Sequence, residues 1–153
     1  MKLSPNFSLH ELVSPNDHMP PSEGHMQNMK ALCELALEPL RAALGRPLKI
    51  TSAYRSPAYN RSIGGAPGSQ HCAGIAADIA VGNGDAMIVA AALASRIPTI
   101  GGIGVYPGRG FIHIDIRPRI GGKPTWWLQE SNGKYRQLNL AEKAKLKLRG
   151  AAL

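Results

Sequence analysis

The sequence is poor in cysteine, in aromatic residues and in long apolar runs. Of its 153 residues, two are cysteines and 5% are aromatic. Cys33 falls in a predicted helix and Cys72 in a separate motif, so both are predicted to be reduced thiols outside any disulfide framework. The longest apolar run, "AMIVAAALA", is too short to cross a bilayer. These shortages argue against a disulfide-stapled scaffold and against a membrane-spanning helix.

The first fifteen residues, "MKLSPNFSLHELVSP", contain no apolar stretch of signal-peptide length. We therefore expect synthesis in the cytoplasm without a signal peptide. The length fits a single domain over residues 1–153, which would bury about two thirds of the surface that the unfolded chain exposes. A monomer is favoured, although nothing in the sequence fixes the oligomeric state.

Acidic residues are also scarce, with 10 against 18 lysines and arginines, and the net charge is +8. This balance favours a polyanionic partner such as nucleic acid, anionic lipid or an anionic wall polymer. Residues 134–149 hold much of the excess and suit either a solvated helical tail or an anchoring patch. Trp126, Trp127 and Tyr135 could stack on nucleic-acid bases. Paired tryptophans more often pack in a core or a ligand groove, so we expect no nucleic-acid partner.

Periodicity predicts an α+β fold, in which a small central antiparallel sheet is flanked by helices. Ser22 can cap a helix that Gly45 ends, and Pro39 should bend or split it. The predicted inward face of that helix is Met29, Leu32, Cys33, Ala36, Leu40, Ala43 and Leu44. Two further helices are predicted in "SPAYNRSIGG" and "GDAMIVAAALASRI". "LKITSAYRS" reads as a buried strand, and "IGGIGVY" and "FIHIDIR" as strands joined by "PGRG". Residues 124–153 should form a hairpin around Asn132-Gly133 and a basic helix.

Alternation along the strands places several polar residues on one face of the sheet. In "FIHIDIR" the isoleucines face the core, while His113 and Asp115 share the opposite face with Phe111. In "IAADIAV" the same alternation puts Asp78 opposite Ile79, between small alanines. If the two strands are neighbours, Asp78 and His113 meet, and His71 can fold over to join them. Two histidines and one carboxylate suit zinc with an open position, although a hydrogen-bonded His and Asp pair would look the same.

The remaining histidines and Cys72 are not expected to be ligands. His10, His18 and His25 lie in a turn-rich segment without an acidic partner at ligand spacing, and are predicted to be surface or packing residues. Cys72 lacks the second cysteine that a thiolate site needs.

The ordered motifs "TSAYRSPAYNRSIGGAPGSQHCAGIAADI" and "FIHIDIR" resemble those of the zinc D-Ala-D-Ala metallopeptidases. That family includes cell-wall carboxypeptidases and phage endolysins and shares its fold with the hedgehog signalling domain. The matching patterns are S-x-Y-R-S, S-x-H-x-x-G-x-A-x-D and a terminal H-x-H or H-x-D. "NFSLHELVS" is similar to the small phage and prophage branch. The resemblance covers roughly residues 5–117.

The resemblance implies Zn²⁺ on His71, Asp78 and His113, and hydrolysis of peptidoglycan stem peptides at the cell wall. It also implies that Arg55 holds a substrate carboxylate or carbonyl oxygen, a task that suits a fixed guanidinium. Ser69 and Gln70 would orient the neighbouring ligand or the substrate. The activity would be that of a D,D-carboxypeptidase or an endopeptidase of endolysin type.

The sequence departs from the family pattern just before the last histidine. Many members carry a glutamate there as general base, whereas "GVYPGRGF" holds no acid. We therefore predict that Asp115 accepts the proton of the attacking water. Ile75 stands where related phage sequences often have a charged residue. The missing glutamate leaves open an alternative, a non-catalytic zinc-containing module that binds the cell wall or forms part of a virion.

Overall fold

The computed structural model describes residues 1–153 and confirms the α+β class. Its strands form a two-stranded sheet, β1 and β2, and a six-stranded sheet in the order β3-β4-β6-β5-β7-β8. The strands are β1 Lys2–Ser4, β2 Phe7–Ser8, β3 Lys49–Ser52, β4 Ala76–Ala80, β5 Gly102–Tyr106, β6 Phe111–Asp115, β7 Thr125–Gln129 and β8 Tyr135–Arg136. The α-helices are α1 Leu9–Leu12, α2 Glu23–Leu32, α3 Glu38–Leu44, α4 Pro57–Ser62, α5 Gln70–Ala73, α6 Asp85–Ser95 and α7 Leu140–Leu148.

Pro39 splits the first long helix, as the sequence predicts. Between α2 and α3 the residues Cys33–Leu37 form a π-helical turn, in which the amide of Glu38 donates to the carbonyl of Cys33. Proline has no amide hydrogen to continue the α-helical ladder, and the wider turn carries the chain past it. The predicted inward face is buried except for Ala43, which is exposed, and Leu44, which is half-buried. The prediction for Ala43 is wrong because the turn rotates α3 relative to α2.

The six-stranded sheet separates a core face from a site face. Ile79, Ile103, Ile112 and Ile114 are fully buried and contribute, with apolar residues of α2, α3 and α6, to one hydrophobic cluster. On the site face, β4 and β6 run antiparallel with Asp78 directly opposite His113. The predicted alternation in these two strands is therefore confirmed.

Two details of the sheet differ from the sequence analysis. The sheet is mixed, because β5 pairs with β7 in parallel while every other pair is antiparallel. Both sides of β6 are already occupied by β4 and β5, and the chain after β6 crosses to the other side of β5, where β7 pairs with it. The strand in "LKITSAYRS" is also not buried: β3 is an edge strand whose residues are exposed or half-buried.

The C-terminal hairpin and basic helix form where the sequence predicts them. β7 and β8 pair antiparallel around Asn132 and Gly133, and α7 follows. Trp126 is buried and donates its indole hydrogen to the carbonyl of Ala152, whereas Trp127 faces the opposite side. Trp126 is thus a core residue. None of the helices combines the length and the apolar character that crossing a membrane requires.

Candidate metal centre

Three predicted residues converge at the centre of the site face. His71 lies in α5, which the Ser69 side chain caps by accepting from the His71 amide, and Asp78 and His113 face each other across β4 and β6. Oδ1 of Asp78 lies 3.3 Å from Nε2 of His71 and 3.2 Å from Nδ1 of His113. All three residues are buried, and their ligand atoms lie within 4.8 Å of one another. We call these residues the His-Asp-His group.

The hydrogen bonds behind the two imidazoles determine which nitrogens face Asp78. Nδ1 of His71 lies 2.7 Å from the carbonyl oxygen of Ala53, and Nε2 of His113 lies 2.7 Å from Oδ2 of Asp115. Both oxygens only accept, so these nitrogens carry the hydrogens. In a neutral ring, the other nitrogen therefore points a lone pair at the Asp78 carboxylate. Three ligand atoms arranged in this way suit the binding of a cation between them.

The distances from Asp78 to the two histidines fit a tetrahedral metal. Ligand atoms about 2.0–2.1 Å from zinc, at tetrahedral angles, lie about 3.3–3.4 Å apart. The two distances from Asp78 match that spacing. Burial acts to raise the pKa of Asp78, but hydrogen bonds from His113 and His71 in their protonated forms outweigh it and hold this pKa well below its usual range. Asp78 is thus an anion at neutral pH, as a metal ligand must be.

Asp115 lies behind His113 rather than in the cleft. Its side chain is fully buried, and Oδ2 contacts Nε2 of His113. Arg117 donates to both oxygens, from Nε at 2.8 Å and from NH2 at 2.7 Å, and its amide adds a third bond to Oδ1. Burial acts to raise the pKa of Asp115, but the bonds from His113 and Arg117 lower it to about 2. This carboxylate has no free oxygen and no path to a water in the cleft. Its position does not suit the predicted proton-accepting role and instead suits that of a partner orienting His113.

Arg55 lies beside the His-Asp-His group and is held by three side chains. Nε donates to Ser52 at 3.0 Å, NH1 to Asn60 at 3.2 Å and NH2 to Oδ2 of Asp78 at 3.4 Å. A guanidinium has five N–H groups, so one hydrogen on each terminal nitrogen is left for a ligand. Asn60 is buried, and its side chain also donates to the carbonyl of Ala66. It therefore connects Arg55 to the glycine-rich loop that forms one wall of the cleft.

The His-Asp-His group opens into a cleft of about 730 Å³. One wall is the loop 63–69 with Ser69 and Gln70, and the other comes from β5, β6 and the β7–β8 hairpin. Three arginines line it, Arg55, Arg109 and Arg117, against a single carboxylate, Asp78. The volume suits a short peptide and the charge suits an anionic one.

The histidines and cysteines that were not expected to be ligands are not part of the His-Asp-His group. His10 and His18 are exposed, and His25 packs its ring on Tyr54 at 4.8 Å between centroids. Cys33 and Cys72 are free thiols. Ser56 accepts from the Tyr59 amide and so begins α4.

Sequence reasoning missed the glycines of β5 that make room on the site face. A Cβ at Gly102 would lie 2.5 Å from both oxygens of Asp115, and one at Gly104 would lie 2.4 Å from Nε1 of Trp127. Trp127 in turn packs near His113, with ring centroids 5.0 Å apart. The available signal was the alternation in "GIGV", where glycines occupy every position on one face and apolar residues the other.

Together, the α+β fold and the His-Asp-His group at the base of a cleft define the class of protein, one with a buried site that could bind a metal ion. The chain belongs to the peptidase M15 family, whose model matches residues 5–115. The resemblance noted in the sequence is thereby confirmed, and membership supports a metallopeptidase. A search of curated protein sequences finds no match to the chain. β7, β8 and α7 lie outside the matched residues.

Proposed function

We propose that this protein is a zinc peptidase that hydrolyses amide bonds in the stem peptides or cross-links of bacterial peptidoglycan. The observation that carries the proposal is the convergence of three metal-ligand atoms at the base of a peptide-sized cleft, in a chain of the peptidase M15 family. The excess of arginine over carboxylate in the cleft supports a substrate with free carboxylates. The site of action would be the cell wall, whose peptides are the proposed partner.

His71, Asp78 and His113 would hold the metal, and each histidine is already oriented by its second nitrogen. A bound zinc ion polarises a carbonyl group and lowers the pKa of water. The chain's own part is to bind and orient the peptide. Arg55 stands 3.4 Å from Asp78 with two unused N–H groups, so it can donate to a substrate carboxylate or to the carbonyl oxygen of the bond to be cut.

Asp115 acts through His113 in this proposal. A carboxylate that accepts the Nε2 hydrogen fixes the tautomer and the direction of the ring, and it makes Nδ1 a stronger ligand. Arg117 holds Asp115 in turn, so the three side chains form one chain of charge-assisted bonds. Ser69 positions His71 through the helix cap.

One observation favours the second candidate, a non-catalytic module that binds the cell wall. Asp78 is the only carboxylate lining the cleft, and it belongs to the His-Asp-His group. A metallopeptidase of this kind commonly relies on a separate acid or base to move the proton of the nucleophile. A protein with this cleft could bind metal and stem peptides without cleaving them.

The two candidates are separated by one experiment. Purified protein is loaded with zinc, its metal content is measured, and muropeptides are analysed by mass spectrometry after incubation. Wild type should release defined fragments, and His71→Ala should lose both the metal and the cleavage. His10→Ala, at an exposed histidine, is the matched control and should retain both. Zinc and muropeptide binding without any fragment would establish the module, and cleavage by His71→Ala at the wild-type rate would exclude the zinc mechanism.

A further inference from the structure

The end of the cleft away from Arg55 is built by the β5–β6 turn and the β7–β8 hairpin. Tyr106 and Phe111 stack there with their ring centroids 4.3 Å apart, and Tyr135 approaches Tyr106 edge-on at 6.1 Å. Arg109, from the turn, and Gln129, from β7, complete this end. β7 and β8 lie outside the residues that match the family model, whereas Tyr106, Arg109 and Phe111 lie within them.

The guanidinium of Arg109 is held in place although its side chain is exposed. Its central carbon lies 5.0 Å from the centroid of Phe111 and 6.0 Å from that of Tyr106. NH1 donates to Oε1 of Gln129 at 3.2 Å. Nε2 of Gln129 is itself bound to the Tyr135 hydroxyl, at 3.3 Å. Stacking and this hydrogen bond reduce the freedom that a surface arginine would lose on binding a ligand.

Arg109 is the one arginine of the cleft without a carboxylate partner. Arg55 contacts Asp78 and Arg117 contacts Asp115, whereas no acidic group lies within ion-pair distance of Arg109. Four of its five N–H groups have no protein acceptor. A guanidinium presented in this way matches the two oxygens of a carboxylate.

The spacing of residues along β6 limits how far Arg109 lies from the His-Asp-His group. Phe111 precedes His113 by two residues on the same face, which is about 7 Å along the strand. The Arg109 guanidinium lies 5.0 Å from the Phe111 ring centroid, so it stands at most about 12 Å from His113. An extended peptide advances about 3.3–3.6 Å per residue. The interval is therefore spanned by about three residues of bound peptide or fewer.

We propose that Arg109 is a specificity-determining residue that binds a substrate carboxylate within about three residues of the bond lying at the His-Asp-His group. It would favour stem peptides with a free carboxylate at that place over peptides in which this group is amidated. The inference deepens the proposed function and rests on it.

The test uses synthetic stem peptides in which one carboxylate at a time is replaced by an amide. Affinity is measured by calorimetry on the metal-free protein, and kcat and KM are measured on the zinc-loaded protein. Wild type should bind one of the amidated peptides about 10-fold or more weakly, the scale of a lost hydrogen bond to a charged group. Arg109→Gln should bind the free and the amidated form of that peptide equally. Its loss should fall on KM, with kcat little changed.

Arg46→Gln removes one positive charge at an exposed site without hydrogen bonds or ion pairs and is the matched control; it should keep the wild-type preference. The inference is overturned if Arg109→Gln retains that preference, or if it weakens the free and the amidated peptides by the same factor. Hydrolysis by wild type without any carboxylate preference overturns the inference about Arg109, while the proposal that the protein is a peptidase stands. A preference in binding without hydrolysis overturns the peptidase and leaves Arg109 as a recognition residue. Failure of wild type to bind any of the peptides overturns both.

Discussion

Replacing Asp115 by asparagine separates its two possible roles. The carboxylate accepts four hydrogen bonds, one from His113 and three from Arg117. An amide of the same size has only one accepting oxygen, so its NH₂ group must face a donor of His113 or Arg117. We expect Asp115→Asn to loosen His113 and to lower zinc affinity by about 10–100-fold, as for other groups that orient a metal ligand.

The structure also gives the scale of the effect on folding. Asp115 is fully buried, and the Arg117 side chain that pairs with it is 30% exposed. Breaking a buried pair by removing one partner costs about 3–5 kcal/mol, and the partial exposure of Arg117 puts the expected cost of Asp115→Ala near the lower end, about 3 kcal/mol. Asp115→Asn keeps part of the bonding and should lose less.

Zinc affinity is measured by competition with a chromogenic chelator, and stability by urea unfolding. Glu34→Gln, at an exposed carboxylate without a hydrogen bond, is the matched control and should change neither quantity. The reasoning fails if Asp115→Asn binds zinc as tightly as wild type and loses only kcat, because that result would identify Asp115 as the proton acceptor.

Three further predictions concern the support of the site. Gly102→Ala should lower the free energy of unfolding by about 1–3 kcal/mol by overpacking against Asp115. Gly24→Ala in α2, where the added Cβ would only make ordinary contact with Oγ of Ser22 at 3.7 Å, should raise it by about 0.4–1 kcal/mol in chemical denaturation, and equal effects would contradict the close approach. Asp17→Asn should lower the free energy of unfolding by about 1–3 kcal/mol at neutral pH, because it weakens the hydrogen bonds from Ser56. Burial acts to raise the pKa of Asp17, but the bonds from Ser56 and Met19 lower it, so this contribution is present above pH of about 4 and fades as the pH falls through the folded-state pKa; a gap from wild type that persists in acid would refute the assignment. Wild type in free zinc at 100-fold the Kd should have a Tm roughly 5–11 °C higher than after the zinc is removed, and His71→Ala should show no such shift.

The residues of the His-Asp-His group could be predicted because alternation is a local property of a strand. A period of two assigns His113 and Asp78 to one face from the sequence alone, and the register of β4 and β6 then brings them together. The same rule correctly assigned Ile79 and Ile112 to the core. The parallel pairing of β5 with β7 and the edge position of β3 were not predicted, because strand order depends on distant parts of the chain.

The location of Asp115 could not be predicted by the same rule. Alternation puts it on the face of His113, but whether it reaches the cleft depends on the neighbouring strand. Gly102 lies directly opposite Asp115 and leaves room for the carboxylate against β5, where Arg117 folds back on it. A side chain at Gly102 would exclude the carboxylate from this position. The role of Asp115 therefore depends on a residue thirteen positions earlier in the chain.

The suitability of the site for a cation follows from the hydrogen bonds behind the ligands. Ala53 and Asp115 each take the hydrogen of one imidazole, and the two free lone pairs then face the same oxygen of Asp78. Without a cation these three acceptors repel one another in a buried setting, where such repulsion is only weakly screened. A single added proton can bridge only one of the two histidines to Asp78, which leaves the other lone pair unpaired. A divalent ion could be bound by all three groups at once, which is why this arrangement favours a metal over a hydrogen-bonded triad.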